Sequence, residues 1–553
     1  MPSLLELVDR VNRGELVDSK LLQVYQASSN SAERFLGHHA SAMVALRSAQ
    51  QYMLQSLEAI EYGDQKVLAQ FISVSGFLGL SEQRAAAMVR FGANAIARRE
   101  YALGLEAIQS GVAYDHQQRG DYTASRENCR LIAAQYVRAA QCIGWTSGLP
   151  LTRNNRQTRI AYLVSSLADD EPAARTARSL ARHYDSGRFR LHVYSTKAAV
   201  RRDKQQFAAA SYLQPSTRSG EKTLDFLDRQ RVPTWLASTS GTVVEAARHL
   251  ADQLVKDRID MAIFDATQAD AIAAVVAEWE VTPVKMNLCR GIPLYASGLS
   301  CVAYTDQARY EADHDYWRQR QVDCNFILEG IDADEDLGLP PQRSSYGIPS
   351  TMIVLASAGP DLDRTVGAEF VEAIINLLRL HPQAVYLMIG DAELSWQKRK
   401  FESAGIAKRI GHARRRKDVA GFLRIADIYL AEFPANSAAS VVQAMSVEKP
   451  VVAMCCGNAA EQSQAAALVG SEGAIPSRDP GAYIERIGKL IGDLNYRQTL
   501  GGIMRSRVRQ HFNFAQTARQ LEQLCDQLIH QARDGTAGQL TLADDPLPMA
   551  KVA

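Results

Sequence analysis

The stretch from Ile425 to Met454, IADIYLAEFPANSAASVVQAMSVEKPVVAM, decides the fold class of this chain. Asp427–Leu430 is a short apolar run typical of a buried parallel strand, and Pro450–Met454 is a second one. Between them, the small residues of Ser437–Ser446 predict a helix that follows a tight turn. This strand–turn–helix–strand pattern predicts a parallel α/β sheet.

The first turn of the predicted helix is suited to a phosphate group. Backbone N–H groups at a helix N-terminus carry roughly half a positive charge and bind phosphate. Ser437 and Ser440 add hydroxyl groups, Ala438 and Ala439 leave the backbone accessible, and Asn436 stands directly before them. An ordinary strand–helix–strand repeat with a serine N-cap explains the same residues, so both interpretations are open at this point.

Composition indicates a globular protein of several domains. The 553 residues suggest three or four domains of ~150 residues each. Hydrophobic residues make up 46% and charged residues 22%, and the net charge of +1 gives no general attraction to nucleic acid. No apolar run reaches about 18 residues, the charged N-terminus does not resemble a signal peptide, and the eight cysteines lack metal-ligand or disulfide spacing. We therefore expect a cytoplasmic protein without a membrane span.

The order of predicted elements divides the chain into four parts. Residues 1–152 form an all-α helical domain. Residues 153–335 and 336–533 each alternate short strands with helices, which predicts two Rossmann-like domains. Residues 534–553 lack periodicity and are predicted to be disordered. The helical segments of the first part are 41–62, 65–77, 81–98 and 101–118. We expect the ligand in a cleft between the carboxyl ends of the two sheets.

Two common nucleotide-binding motifs are missing from the sequence. No G-x-G-x-x-G follows the first strand of either α/β part, and there is no Walker loop. A helix N-terminus without a lysine-bearing loop suits a diphosphate held without a metal, and a nucleotide-sugar is the natural candidate. Asp332-Ala333-Asp334 has the letters of a D-x-D motif, but its interdomain position predicts a solvated acidic turn. We expect no metal site and no cofactor besides a nucleotide-sugar substrate.

Four stretches, in this order, resemble the two-domain GT-B glycosyltransferases, and within them the lineage of O-GlcNAc transferase and the bacterial cytoplasmic protein N-glycosyltransferases of HMW-adhesin type. They are RIAYLVSSLADDEPAARTARSL (159–180), IDMAIFDATQADAIAAVVAEWEVTPVKMNLCRGIP (259–293), GHARRRKDVAGFLRIADIYLAEFP (411–434) and ANSAASVVQAMSVEKPVVAMCCGNAAEQ (435–462). The resemblance implies an acceptor-side first α/β domain and a nucleotide-sugar-side second one. It implies transfer of a hexose or N-acetylhexosamine from a UDP-linked donor to a protein side chain.

The resemblance also implies an inverting reaction. Retaining relatives use two glutamates eight positions apart around this helix, whereas Ala435 and Gln443 stand at those positions here. In an inverting reaction the acceptor attacks the anomeric carbon while the nucleoside diphosphate leaves. The helix N-terminus would stabilise the charge that develops on the leaving phosphate.

On the donor side, the resemblance extends the site beyond residues 436–440. His412 lies in the third resembling stretch, and Glu461 stands where the family contacts the ribose. The family's usual lysine is missing from the loop after the first strand of the second α/β domain, and Arg364 is the candidate to replace it. An exposed loop arginine is the alternative for Arg364, and a solvated turn is the alternative for the basic run 414–417.

On the acceptor side, Asp170 and Glu171 occupy the place of the family's histidine before proline. A carboxylate there is our candidate to accept or orient the acceptor's proton. The alternative is an acidic turn that caps a helix. Gly291 and Pro293 are expected to bring backbone close to the sugar, with Tyr295 and Ser297 nearby; a purely structural turn is the alternative.

Two functions remain open from the sequence: an active transferase, or a catalytically silent pseudo-glycosyltransferase that binds a substrate or partner. We expect the two α/β domains to be complete without the helical domain, which would then recognise a protein acceptor or partner. The competing interpretation is that the helical domain covers apolar surface of the first α/β domain. A homo-oligomer is compatible with the sequence.

Overall fold

A computed structural model describes twelve parts of the chain. These are residues 81–118, 122–145, 157–169, 171–196, 220–237, 241–333, 339–359, 362–390, 394–413, 419–434, 436–455 and 464–534. The predicted helices at 41–62 and 65–77 and the predicted disorder after residue 534 lie outside these residues. The domain boundaries given above stay predictions.

Three helices precede the first sheet in the described residues: α1 (Ser81–Ala97), α2 (Tyr101–Gln118) and α3 (Tyr122–Ile143). The bounds of α2 are those the sequence predicts. Helices α1 and α2 approach so closely at Gly92 that a Cβ there would lie 2.6 Å from the carbonyl oxygen of Gly104, and glycine allows this contact. Helix α3 is a helix that periodicity did not reveal.

The first sheet has seven parallel strands in the order β3-β2-β1-β4-β5-β6-β7. The strands are β1 (Thr158–Val164), β2 (Phe189–Ser195), β3 (Thr234–Leu236), β4 (Met261–Asp265), β5 (Val284–Cys289), β6 (Cys301–Tyr304) and β7 (Asp323–Phe326). The connecting helices are α4 (Pro172–His183), α5 (Glu221–Arg229), α6 (Val243–Lys256), α7 (Ala271–Glu278) and α8 (Gln307–Gln319). Sequence periodicity missed α5, α8, β6 and β7.

The second sheet has six parallel strands in the order β10-β9-β8-β11-β12-β13. The strands are β8 (Ile353–Ala358), β9 (Ala384–Ile389), β10 (Ile410–Ala413), β11 (Ile428–Leu430), β12 (Val451–Met454) and β13 (Ala474–Ile475). The helices are α9 (Leu362–Thr365), α10 (Ala368–Leu380), α11 (Ser395–Ser403), α12 (Val419–Leu423), α13 (Ala438–Ser446) and α14 (Gln464–Gly473). The prediction of two Rossmann-like sheets is confirmed.

Three helices end the described chain: α15 (Pro480–Gly492), α16 (Leu494–His511) and α17 (Phe514–Arg533). Helices α15 and α16 belong to the core of the second sheet, whereas α17 returns to the first sheet. Phe514, Ala518 and Leu521 of α17 are buried in one core with Ile160 and Tyr162 of β1.

The opposite face of the first sheet shares its core with the N-terminal helices. Ala161 and Leu163 of β1 are buried with residues of α2, α3, α6 and α7. Polar groups also join these layers, since Trp279 Nε1 donates to the carbonyl oxygen of Ala140 at 3.0 Å. Tyr136 donates its hydroxyl to the carbonyl oxygen of Gln268 at 2.7 Å. The structure favours the competing interpretation, that the helical region covers apolar surface of the first α/β domain, because residues 81–145 supply one wall of its core.

Candidate functional site

The strand order of each sheet creates a crevice at the carboxyl ends of two neighbouring strands. The connections leave in opposite directions from β1 and β4 in the first sheet, and from β8 and β11 in the second. Open α/β sheets bind ligands at such switch points. The turn before α13 follows β11, so the residues that the sequence singles out lie at the switch point of the second sheet.

The N-terminus of α13 lies at this switch point with backbone donors in its first turn. Ser437 is the N-cap, and its Oγ accepts hydrogen bonds from the Ser440 amide at 3.4 Å and from the Ser440 hydroxyl at 3.0 Å. The amides of Ala438 and Ala439 belong to the first helical turn, where no intrahelical acceptor exists. Ala439 is exposed, so its small side chain leaves room for a ligand.

Two glycines bring the neighbouring loops close to this turn. A Cβ on Gly359, directly after β8, would lie 3.5 Å from the Cβ of Ser437. A Cβ on Gly390, directly after β9, would lie 2.0 Å from the carbonyl oxygen of Gly359. His412 Nε2 lies 3.0 Å from the carbonyl oxygen of Gly390. The structure thus places His412 in a row of residues that leads to Ser437, although no sequence pattern singles out the two glycines.

Two polar side chains of the turn are buried without partners. Both amide atoms of Asn436 and both carboxyl oxygens of Glu432 lack a hydrogen-bond partner among the described residues. Glu432 is 1% exposed, and this burial raises its pKa to about 8. The backbone groups of Glu432 and Ala358 act in the opposite direction and lower the pKa, but they do not meet hydrogen-bond geometry. Sequence reasoning missed Glu432, whose one signal is an acidic residue between apolar neighbours after a buried strand.

Of the remaining donor-side candidates, the structure describes the backbone of one and leaves the others outside the described residues. Arg364 lies in α9, three residues before Gly367, whose amide donates to the carbonyl oxygen of Phe433 at 3.3 Å. The backbone of Arg364 is therefore next to the turn that precedes α13. Glu461 and the basic run 414–417 lie outside the described residues.

On the first sheet, Glu171 is the N-cap of α4 and Pro172 begins the helix. Its carboxyl group makes no capping hydrogen bond, so the capping interpretation does not account for the side chain. Asp170 lies outside the described residues. Glu171 follows β1, which places it at the switch point of this sheet.

Gly291 and Pro293 lie in a loop after β5, and two side chains hold this loop through hydrogen bonds to its backbone. Leu294 donates its amide to Asn287 Oδ1 at 2.9 Å, and Tyr295 donates its amide to Gln268 Oε1 at 3.0 Å. The nearness of Tyr295 to a sugar stays a prediction; its side chain is 2% exposed and stacks on Trp317. The loop backbone remains at the carboxyl edge of the sheet.

An ion-pair network that sequence reasoning missed lies beside this loop. Arg290 donates from Nε to Asp265 at 2.9 Å, pairs with Glu329 and donates to the Thr176 hydroxyl at 2.8 Å. Tyr162 donates its hydroxyl to Asp265. The three donors of one guanidinium thus reach the end of β4, helix α4 and the segment after β7.

Searches for a membrane span and a metal site were negative within the described residues. No described helix is both long enough and apolar enough to cross a membrane. No group of three or more His, Cys, Asp or Glu side chains in those ranges is arranged to hold a metal ion.

Comparison with known proteins gives one family match. Residues 364–493 match the family model described as glycosyl transferases group 1. No curated protein matches the chain. A solved Thermobaculum terrenum O-GlcNAc transferase mutant is similar, with 15% identity, a TM-score of 0.51 and coverage of 97% of this chain and 100% of that one. The fold is a GT-B glycosyltransferase fold.

Two further solved structures show weaker similarity. A Rickettsia africae glycosyltransferase has 13% identity and a TM-score of 0.48, covering 68% of this chain and 100% of its own. Anabaena HepE, solved with UDP and glucose, has 14% identity and a TM-score of 0.46, covering 67% of this chain and 100% of its own.

Proposed function

We propose that this protein is an inverting glycosyltransferase that moves a hexosyl or N-acetylhexosaminyl group from a UDP-sugar to a protein side chain. The observation that carries the proposal is the N-terminus of α13 at the switch point of the second sheet, with the amides of Ala438 and Ala439 in its first turn. A helix N-terminus at that place suits a diphosphate.

In this proposal the diphosphate contacts the amides of residues 438 and 439 and the Ser437 hydroxyl. The Asn436 amide, which has no partner among the described residues, would donate to a phosphate or sugar oxygen. Arg364 would add positive charge from α9, and His412 would lie at the nucleotide end of the row. These donors would stabilise the charge that develops on the leaving diphosphate.

The first sheet would supply the acceptor side. Glu171, with Asp170 beside it, would accept or orient the proton of the attacking side chain. The backbone at Gly291 and Pro293 would face the sugar. We also propose that transfer needs no metal ion, since the helix N-terminus and Arg364 would supply the positive potential.

The test combines binding and turnover. We expect UDP to bind in calorimetry, and one member of a panel of UDP- and GDP-sugars to be transferred to a peptide library in the presence of EDTA. The anomeric configuration of the product, read by NMR, should be inverted relative to the donor. A retained configuration would refute the inverting mechanism, and a requirement for Mn²⁺ would refute metal independence.

A second candidate is a silent pseudo-glycosyltransferase. The observation in its favour is that residues 357–364, SAGPDLDR, contain no lysine. UDP binding with neither transfer nor hydrolysis of any donor in the panel would favour this candidate. Absence of UDP binding would reject both candidates.

A further inference from the structure

The chain crosses from one sheet to the other twice, and the two crossing segments lie side by side. We call residues 328–332 and 512–517 the crossing pair. Ile331 donates its amide to the Phe512 carbonyl oxygen at 2.8 Å, and Phe514 donates to the Ile331 carbonyl oxygen at 3.0 Å. Gly330 allows this approach, because a Cβ there would lie 2.6 Å from the Phe512 carbonyl oxygen. These hydrogen bonds join the two segments by which the chain connects the sheets.

Two acidic side chains of the crossing pair contact residues of helix α4. Thr176 donates its hydroxyl to Glu329 Oε1 at 2.9 Å. Asp332 is paired with Arg182, and His183 Nε2 lies 3.5 Å from its carboxylate. The prediction of a solvated acidic turn at Asp332 is wrong, because its side chain is only 7% exposed.

The same contacts continue to the acceptor-side loop through one arginine. Arg290 pairs with Glu329 of the crossing pair and with Asp265 at the end of β4, and it is the residue directly before Gly291. Its side chain is 18% exposed, so water screens these pairs only in part. The guanidinium is a rigid planar fork, so its contacts with Asp265, Glu329 and Thr176 share one plane and one position.

We propose that Glu329 is a positioning residue that, through Arg290, sets the loop 291–293 according to the position of the crossing pair. The acceptor-side wall of the cleft would thereby sense how the two sheets are oriented. The kinetic consequence rests on the proposed transferase function, whereas the structural linkage does not.

The test compares Glu329→Gln with Glu311→Gln, which removes an exposed carboxylate on α8. In hydrogen exchange we expect the peptide covering residues 290–297 to exchange at least threefold faster in Glu329→Gln, while the peptide covering 436–446 is unchanged. Glu311→Gln should leave both peptides unchanged. Thr176→Val, which removes the hydroxyl that joins Glu329 to Arg290, should show the same pattern more weakly. It provides a second reading if Glu329→Gln folds poorly.

The kinetic arm uses the wild-type donor and acceptor. Glu329→Gln should lower kcat/KM for the acceptor about tenfold while the Kd for UDP stays within twofold, and Glu329→Asp should restore part of the loss. Unchanged exchange at 290–297 in both Glu329→Gln and Thr176→Val, or equal loosening of 436–446, would overturn the proposal. If the wild type neither binds UDP nor transfers sugar, the proposed function fails, and the exchange arm alone decides the linkage.

Discussion

At the scale of single residues, Glu432 makes stability depend on pH. Its ordinary pKa is 4.5, and burial raises it to about 8 in the folded protein. Between these values the folded state keeps a proton that the unfolded state releases. The free energy of unfolding therefore falls as pH rises from 4.5 to 8.

Glu432→Gln removes this titration while keeping the shape of the side chain. We expect the variant to gain stability relative to the wild type on going from pH 5 to pH 8, by on the order of 2–4 kcal/mol. Urea unfolding at pH 5, 6.5 and 8 measures the difference. Glu402→Gln, an exposed change on α11, is the control and should give no trend. Parallel pH profiles for Glu432→Gln and wild type would contradict the assignment.

The residue types of the turn were predictable, but the burial of Glu432 was not. The contact between Ser437 and Ser440 could be predicted from the local sequence, since the hydroxyl of a residue before a helix accepts a hydrogen bond from the first helical turn. The environment of Glu432 arises from strands β8, β9 and β11, which are far apart in sequence. The Arg290 network depends on three separate segments in the same way, and no local pattern announces it.

At the scale of elements, helix α13 allows a test of charge at its N-terminus. Ser437→Asp keeps a good N-cap, so the helix should be as stable as before. The added negative charge would repel a diphosphate, and we expect UDP affinity to fall more than tenfold, about 1.4 kcal/mol. Ser437→Asn caps without charge and should bind UDP within about threefold of wild type. If calorimetry finds the same UDP affinity for Ser437→Asp and the wild type, UDP does not bind at this helix.

Elements with strong periodicity were predicted well, and short or polar ones were not. The bounds of β4 are those predicted, because Met261–Phe264 is a continuous apolar run flanked by Asp260 and Asp265. Strand β7 has the sequence DCNF with neither alternation nor an apolar run. It is a strand because it pairs with β6 at the edge of the sheet, which is a tertiary effect.

At the scale of the whole molecule, the N-terminal helices cover one apolar face of the first sheet. A truncated protein beginning at Asn154 would expose the apolar face that α2 and α3 cover, and would leave Trp279 Nε1 without its acceptor at Ala140. We expect this protein to aggregate, as measured by soluble yield and size-exclusion chromatography. Co-expression of residues 1–153 should restore soluble protein.

A truncated protein that is monodisperse and binds UDP as the full chain does would contradict this expectation. It would return the helical region to a role in recognising acceptors or partners. That role stays a prediction for the surfaces that do not face the first sheet.

The position of α17 has a consequence for biosynthesis. Strand β1 leaves the ribosome early, but the helix that covers it begins at Phe514, about 350 residues later. At ~5–20 residues per second, that interval lasts roughly 20–70 s. During this time α4 and α5 cover part of this sheet face, and the part that α17 covers stays open. We therefore expect a chain cut short before residue 514 to leave apolar residues of the first sheet exposed and to be prone to aggregation.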